Sequence, residues 1–165
     1  MEKIPYLCPI IQVLNMTTFI GEYTGKLDDK GRLVLPSALK GSMPEGGDMR
    51  FVIKRDLFDD CLEMFTFDEW QRRSEEVKSK LNFFNADHSR FWREYMRNRA
   101  VVEPDPKLGR ISIPAKLLES IGVTREVVFS GNDYKIEIWA KEKYESGAIS
   151  NEEYLSIAGK LSEQR

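Results

Sequence analysis

The chain carries one short motif twice. Residues 31–36 read GRLVLP and residues 109–114 read GRISIP, so Arg32 and Arg110 are offset by 78 positions (110 − 32 = 78). The correspondence continues after each motif. Further matched pairs are Leu39 with Leu117 at the same offset, LEMF at 62–65 with IEIW at 136–139 at an offset of 74 (136 − 62 = 74), and Trp70 with Tyr144. Because the order of the segments is preserved while loop lengths change, the chain contains two copies of one unit.

Neither copy is large enough to fold well alone. A unit of about 45 residues with four short strands and one short helix buries little apolar surface. Two copies can close on each other around a single pseudo-symmetric core. The duplication therefore predicts an α+β protein in which the two repeats form a pseudo-dimer.

Each copy is predicted to contain two pairs of strands. In the first copy, a strand from Phe19 to Leu27 leads through a turn at 28–31 into a return strand, and Pro36 opens a short helix. The other predicted elements are strands at 50–56 and 61–67, strands flanking the turn of the second motif, a short helix at 115–122, and strands in EVVFSGND and KIEIWA around a Gly-Asn-Asp turn at 131–133.

Two helices are predicted between the copies. Thr66 and Glu69 form a capping box for a helix that runs to about Leu81, and a second helix spans about 86–99. An apolar stripe on the first helix indicates a core or subunit contact; its residues are Phe67, Trp70, Val77 and Leu81. The second helix carries a basic stripe, which is either a solvated face with Glu94 as partner or a face toward DNA or another subunit; its residues are Arg90, Arg93 and Arg97.

The last segment, from about Lys141, is predicted to be helical. Ser150 and Glu153 form another possible capping box. The residues after it are apolar enough for the helix to dock; they are Tyr154, Leu155, Ile157, Ala158 and Leu161.

Composition excludes several classes of protein. The net charge is −2 and the isoelectric point about 5.6, so a general basic coat is absent and any DNA binding must come from local loops. Cys8 and Cys61 have no metal-like spacing, and His88 is the single histidine, suited to a surface or capping position. No metal, cofactor or small-molecule substrate is expected. The sequence also lacks catalytic motifs and any apolar run of membrane-spanning length.

The two turns carry side chains suited to DNA. Arg32 follows the first turn, where its guanidinium can project past the hairpin to take a phosphate or the O6/N7 edge of guanine. Lys30 would reach a neighbouring phosphate, and Lys26 is a lesser candidate. Asp28 is expected to bond the turn backbone, and Gly31 to adopt the positive φ angle. The corresponding residues of the second turn are Lys107 and Arg110 for DNA, with Asp105 and Gly109 for the turn.

The duplicated D-x-x-G-R-[apolar]-x-[apolar]-P hairpin resembles the SpoVT-AbrB swapped-hairpin DNA-binding domain. Two copies separated by a helical segment resemble the MraZ family of bacterial transcriptional regulators, over roughly residues 17–145. The resemblance implies tandem swapped-hairpin β-barrel units in a cytoplasmic, nucleoid-associated protein. It also implies ring-shaped homo-oligomers that bind double-stranded DNA at short direct repeats upstream of their own division and cell-wall operon. A ring would present many turns at once and needs no large positive charge.

The second copy departs from the family's D-x-x-x-R signature, which falls on Asp28 and Arg32 in the first. Pro106 lies four residues before Arg110, and Asp105 lies five before it. Two interpretations remain open: the second turn has one extra residue, or its cap is lost and Asp105 substitutes from a longer loop.

The predicted division of the chain has five parts: an N-terminal tail at 1–16, a first SpoVT-AbrB-like domain at 17–66, a helical segment at 67–98, a second such domain at 99–145, and a C-terminal helix at 146–165. For residues 1–15 a second interpretation stays open, in which translation starts at Met16.

Three other functions are alternatives to a DNA-binding regulator. An enzyme would need chemistry that the sequence does not display. A ring-forming scaffold, whose turns contact a protein partner, is favoured mildly by the acidic isoelectric point and the aromatic helical segment. An antitoxin of the swapped-hairpin type is opposed by the duplication.

Overall fold

The structure is a computed structural model, and it describes residues 16–164. Its eight strands are β1 (Phe19–Lys26), β2 (Arg32–Val34), β3 (Phe51–Arg55), β4 (Leu62–Thr66), β5 (Ala100–Val102), β6 (Arg110–Ser112), β7 (Glu126–Asp133) and β8 (Lys135–Ala140). Its six helices are α1 (Ser37–Lys40), α2 (Phe67–Ser79), α3 (Ala86–Met96), α4 (Ala115–Ser120), α5 (Lys141–Ser146) and α6 (Asn151–Glu163). The predictions for the N-terminal tail, the alternative start and Cys8 lie outside the described residues.

The strands form one antiparallel sheet and one separate ribbon. The sheet has six strands in the order β1-β7-β8-β4-β3-β5, and the ribbon pairs β2 with β6. The strands β1, β2, β3 and β4 of the first copy correspond to β5, β6, β7 and β8 of the second. If each strand is replaced by its counterpart, the same strand order is read from the other edge of the sheet, and every pairing is kept. The fold therefore has a pseudo-two-fold axis, as the duplication predicts.

The repeats interlock by exchanging their first strands. β1 of the first copy pairs along its whole length with β7 of the second, and β5 of the second copy pairs with β3 of the first. Neither copy keeps its first strand in its own half of the sheet. The predicted α+β class, with two interlocked repeats, is confirmed.

One apolar core lies between the ribbon and the sheet. Leu33 and Ile111 are paired at the centre of the ribbon and are buried against sheet residues such as Phe19, Phe51 and Phe129. Full burial of a side chain of this size stabilises a fold by about 1.5–3 kcal/mol. Since both repeats contribute to the same core, each one needs the other to remove its apolar face from water.

A buried charge network lies on the pseudo-two-fold axis, where Glu63 in β4 faces Glu137 in β8. Lys54 and Lys135 donate to the two carboxylate oxygens of Glu63 at 2.6 and 2.8 Å, and Lys135 also lies 3.2 Å from Glu137. Burial alone lowers the pKa of Lys135, but the bonds and charges of Glu63 and Glu137 outweigh it and raise that pKa above its ordinary value.

Most predicted helices form, with shifted ends. Thr66 accepts the backbone N–H of Glu69 at 3.2 Å, but the Glu69 carboxylate binds Arg72 and Arg73, so only half of the predicted capping box exists. The second helix was predicted to reach residue 99 and ends at Met96, because the next residues leave helical geometry. Pro36 stands just before α1 as its cap residue, not within its first turn.

The basic stripe of α3 is exposed to solvent among the described residues, and a role toward DNA or another subunit stays a prediction. Arg97 pairs with Glu94 at 2.8 Å, as one interpretation predicted, and Arg90 pairs with Asp87 at 2.9 Å. On the stripe of α2, only Trp70 is buried; it stacks on Tyr95 of α3 with ring centroids 5.9 Å apart.

Two other predictions need correction. The Gly-Asn-Asp segment at 131–133 is the end of β7, paired with 19–21 of β1, and the chain reverses at Asp133 and Tyr134. The last helical region is two helices, since 147–150 separate α5 from α6. Ser150 does cap α6 by accepting the N–H of Glu153 at 3.1 Å. Within residues 16–164, no helix combines the length and apolar character needed to cross a membrane.

Candidate nucleic-acid interface

The first turn, between β1 and β2 (turn 1), is built around one carboxylate. Asp28 Oδ1 accepts the backbone N–H groups of Lys30 and Arg32 at 2.9 and 2.8 Å, and Oδ2 accepts the Nε–H of Arg32 at 2.8 Å. Gly31 has a φ of 74°, a region that side chains with a Cβ rarely adopt. The predicted structural roles of Asp28 and Gly31 match this geometry.

The second turn, between β5 and β6 (turn 2), repeats the arrangement with one more residue. Asp105 Oδ1 accepts the N–H groups of Lys107 and Leu108, and Oδ2 accepts both the N–H and the Nε–H of Arg110, each at 2.8 Å. Gly109 has a φ of 70°. Of the two open interpretations, the structure supports the extra residue: the cap is retained, and Asp105 supplies it directly.

Both turn carboxylates are held in the charged form. The backbone N–H of Arg32 is the largest cause that lowers the pKa of Asp28. The backbone N–H of Leu108, followed by the guanidinium of Arg110, lowers the pKa of Asp105 further. Each turn is therefore an anion bound by its own backbone, with an arginine fixed at its exit.

The two arginines stand on the same outward face of the ribbon. Arg32 pairs with Ser112 and Arg110 pairs with Val34, so the arginines are diagonal neighbours, with Cα atoms roughly 7–8 Å apart. Leu33 and Ile111 between them point into the core, whereas Val34 is 52% exposed. Both arginines line one open cleft of about 300 Å³, together with Ser112 and Glu103.

The sequence predicted that the guanidinium of Arg32 projects past its hairpin. In the structure, neither Arg32 nor Arg110 does so. Their side chains are only 26% and 27% exposed, because each folds back onto the aspartate of its own turn. The Nη groups of Arg32 and Arg110 donate to none of the residues that the structure describes, so they remain able to bind a ligand. Fixing Nε in this way removes side-chain freedom before any ligand arrives.

The lysines of the turns differ in their partners. Lys30 and Lys107 are exposed and form no ion pair within the described residues. Lys26 lies 3.5 Å from Glu126 on the neighbouring β7, which offsets part of its charge. The five predicted DNA contacts, Lys26, Lys30, Arg32, Lys107 and Arg110, stay predictions.

The sequence prediction omitted Lys40, the last residue of α1. A Cβ built on Gly109 would lie 3.7 Å from Lys40 Nζ, so this ammonium lies against turn 2. Its position in a helix outside both motifs gave no signal, because the contact joins two repeats that are remote in sequence.

A group of possible metal ligands lies beside the buried charge network. Asp56, Cys61 and Glu137 place one ligand atom each within 4.8 Å of one another. The ammonium of Lys135 lies among them, 3.2 Å from Glu137 and 3.9 Å from Asp56, and already supplies a positive charge. Burial raises the pKa of the Cys61 thiol, so it stays protonated. These residues fit an internal ion network better than a metal site.

The fold and the paired turns define a class: duplicated α+β proteins whose repeats exchange their first strands and present one basic turn each. A sequence model of the family described as "MraZ protein, putative antitoxin-like" matches residues 18–94 and 97–157. The chain belongs to the MraZ family.

Individual relatives agree with this assignment. The chain is 34% identical over 139 residues to a protein named Transcriptional regulator MraZ from Bacteroides thetaiotaomicron, covering 84% of this chain and 88% of the relative. A protein of the same name from Lachnoclostridium phytofermentans is 37% identical over 145 residues, covering 88% and 96%. Another from Christiangramia forsetii is 38% identical over 130 residues, covering 79% and 83%.

Proposed function

We propose that this chain is a sequence-specific DNA-binding transcriptional regulator that contacts double-stranded DNA through turns 1 and 2. One observation carries the proposal: Arg32 and Arg110 are diagonal neighbours on the outward face of the ribbon, each held by the aspartate of its own turn. A two-stranded ribbon is narrow enough to enter the major groove. The relatives' name, Transcriptional regulator MraZ, supports the same role and a function other than catalysis.

Each side chain has a chemical role in this proposal. The free Nη edges of Arg32 and Arg110 suit the O6 and N7 acceptors of guanine, and exposed Val34 suits a thymine methyl group. Lys30 and Lys107 are exposed point charges for the phosphates on either side. Lys26 contributes less, because Glu126 already offsets its charge. Asp28 and Asp105 are positioning residues, as are Gly31 and Gly109.

Assembly into a homo-oligomeric ring is part of the proposal. With a net charge of −2, a single copy attracts DNA weakly, whereas several copies multiply the few local cations. α6 is exposed along its whole length and has an apolar side with no covering element among the described residues. The residues of this side are Tyr154, Leu155, Ile157 and Leu161. A second copy is the simplest cover for it.

The remaining parts of the proposal follow the family resemblance. The target is a set of short repeats upstream of the chain's own division and cell-wall operon, and the protein acts in the cytoplasm as part of the nucleoid. It needs no cofactor, metal, membrane or small-molecule substrate. Its functional parts are the two repeats at 17–66 and 99–145, with the helical segments at 67–98 and 146–165 serving assembly.

A ring-forming scaffold that binds a protein partner is the second candidate. It is favoured by apolar side chains that no described residue covers, above all Phe58 and Phe84, which are almost fully exposed. Salt dependence separates the two functions, since phosphate contacts weaken steeply as salt rises and apolar docking does not.

Fluorescence anisotropy tests the proposal. The probes are a duplex from directly upstream of this gene and a scrambled duplex of equal length, each at two salt concentrations. The wild type is expected to prefer the native duplex and to lose affinity as salt rises. The Arg32→Ala/Arg110→Ala variant is expected to lose this preference while remaining folded by circular dichroism.

A matched control removes the same charge elsewhere. Arg90→Ala/Arg97→Ala deletes two exposed arginines of α3 and is expected to bind like the wild type. If the wild type shows no preference for the native duplex, and the turn variant behaves like it, the regulator proposal fails and the scaffold becomes the better candidate.

A further inference from the structure

The two turns differ at the position just before their glycine. Turn 1 has Lys30 there and turn 2 has Leu108, because these positions correspond at the offset of the motif (108 − 30 = 78). Leu108 is 63% exposed, so it is not held in the core. An exposed leucine offers nothing to a phosphate, so turn 2 has no cation directly before its glycine, and its own lysine, Lys107, lies one residue earlier.

Lys40 brings a cation to that place from the other repeat. Its Nζ lies 3.7 Å, and its Cδ 3.8 Å, from where a Cβ on Gly109 would be. Lys40 also lines an open cleft with Asp105 and Pro106, the residues with which turn 2 begins. The lysine stem thus packs along turn 2, and its charged end reaches the residue that follows Leu108.

The charge of Lys40 has no partner within the described residues, and its counterpart carries none. Lys40 donates no hydrogen bond and joins no ion pair there, although Glu103 and Asp105 line the same cleft. The corresponding residue of the second repeat is Leu118 (118 − 40 = 78), which is buried in the core. A cation from the first repeat is therefore placed beside Leu108 in turn 2, whereas the second repeat places none beside Lys30 in turn 1.

We propose that Lys40, from the first repeat, supplies turn 2 with a second phosphate-contacting lysine beside Lys107. The inference rests on the proposed DNA binding and adds a residue outside both motifs to it. Turn 2 is then a composite site: Lys107 and Arg110 come from its own repeat, and Lys40 comes from the other one. The pairing of β2 with β6, which the Leu35 N–H extends by donating to the Gly109 carbonyl at 2.9 Å, brings the end of α1 to turn 2.

The first test measures the salt dependence of binding by anisotropy with the native upstream duplex and the scrambled duplex. Lys40→Gln keeps most of the stem and removes the charge, whereas Lys40→Arg keeps the charge. Lys40→Gln is expected to weaken binding to both duplexes by a similar factor and to lower the slope of log K against log salt by about one. Lys40→Arg is expected to restore both. Lys80→Gln, an exposed lysine after α2, is the matched control and is expected to change neither.

The second test asks whether Lys40 acts with turn 2 or with turn 1. Lys40→Gln is combined with Arg110→Ala and, separately, with Arg32→Ala. If Lys40 belongs to turn 2, its loss is expected to cost several-fold less affinity in the Arg110→Ala background than in the Arg32→Ala background, since contacts at one site are not additive.

The outcomes separate this inference from the function on which it rests. If the wild type binds and Lys40→Gln keeps its affinity and slope, the composite turn is wrong and DNA binding stands. A loss without a change of slope, or one that Lys40→Arg does not restore, marks a structural role and also overturns the inference. If the wild type binds neither duplex, the proposed function fails first and Lys40 has no phosphate to contact.

Discussion

Asp105 accepts the Nε–H of Arg110 at 2.8 Å, and Asp28 accepts the Nε–H of Arg32 at the same distance. Asp105 lies five residues before its arginine, whereas Asp28 lies four residues before its own. The extra residue of turn 2 is absorbed by the loop, and Asp105 takes two loop N–H groups, of Lys107 and Leu108, where Asp28 takes one, of Lys30. The position of the arginine relative to its aspartate is thus preserved while the loop sequence changes.

Removing the turn carboxylates is expected to loosen the turns in a pH-dependent manner. The folded pKa values of Asp28 and Asp105 lie below the ordinary value of about 3.9. Their contribution to stability is therefore complete above about pH 5 and is lost as the pH falls through the folded values. The Tm difference between the wild type and Asp28→Asn/Asp105→Asn should be constant from pH 5 to 8 and shrink below about pH 4. A difference that grows on acidification would contradict this assignment.

Arg32→Ala distinguishes base reading from phosphate contact. If Arg32 binds a guanine edge, the variant should lose about 1–3 kcal/mol of binding free energy on the native duplex and discriminate less between duplexes. If it contacts only phosphate, the loss should be equal on both duplexes, with a shallower salt dependence. Anisotropy titrations with Arg110→Ala as the companion variant compare the two turns directly. Unchanged affinity in both variants would remove the ribbon face from the interface.

Leu108→Lys is expected to strengthen DNA binding. The change gives turn 2 the side chain that turn 1 has at Lys30, on an exposed residue whose replacement leaves the core intact. Each added phosphate contact should steepen the slope of log K against log salt by about 0.9. In the Lys40→Gln background, the same change should recover much of the lost affinity. An unaltered slope in both backgrounds would mean that this part of turn 2 lies away from the phosphates.

The two glutamates on the pseudo-two-fold axis are expected to differ in their effect on stability. Glu63→Gln leaves Lys54 and Lys135 without their shared carboxylate in a buried place, and breaking such a network costs about 3–5 kcal/mol. Glu137→Gln should cost clearly less, because Lys135 retains Glu63. Urea unfolding monitored by tryptophan fluorescence gives both values. Equal losses would show that Glu63 contributes no more to the network than Glu137 does.

Replacing the apolar side of α6 is expected to lower the mass of the assembly without unfolding the chain. Leu155→Ser/Leu161→Ser removes two exposed leucines whose burial within one chain is slight. Light scattering after gel filtration should therefore report smaller particles with unchanged circular dichroism outside the last helix. Lys160→Gln on the other side of α6 is the control. A wild-type particle of one chain's mass would contradict the proposed ring itself.

The sequence predicted the strands that occur in both copies, and it did not predict contacts that occur in only one copy, such as that of Lys40 with turn 2. The offsets at Arg32/Arg110 and Leu62/Ile136 located the strands, because strand pairing in a duplicated fold must repeat as well. The exchange of strands between the copies was predicted only through the family resemblance, because hydrophobic periodicity does not indicate which copy a strand pairs with.

Local turn chemistry was predictable only in part. Asp28 follows a simple rule, whereas Asp105 left two interpretations that only the geometry separates. The fold of each arginine back onto its aspartate was missed, since a charged residue beside a turn is ordinarily assigned to solvent. Lys40 was invisible for a different reason: nothing in residues 37–40 indicates that this helix ends against a loop of the other repeat.

The two repeats differ most clearly at their exposed turns, turn 1 and turn 2. A true dimer of identical hairpins looks the same from either end, so it cannot tell one orientation of its target from the other. Here one turn has an extra residue and an exposed leucine, and a lysine of the first repeat lies against it. The two turns of the chain are therefore chemically different, and the molecule is not the same when rotated about its pseudo-two-fold axis. Under the proposed function, this difference would let the chain distinguish the two directions of its DNA site and let successive copies bind in the same orientation.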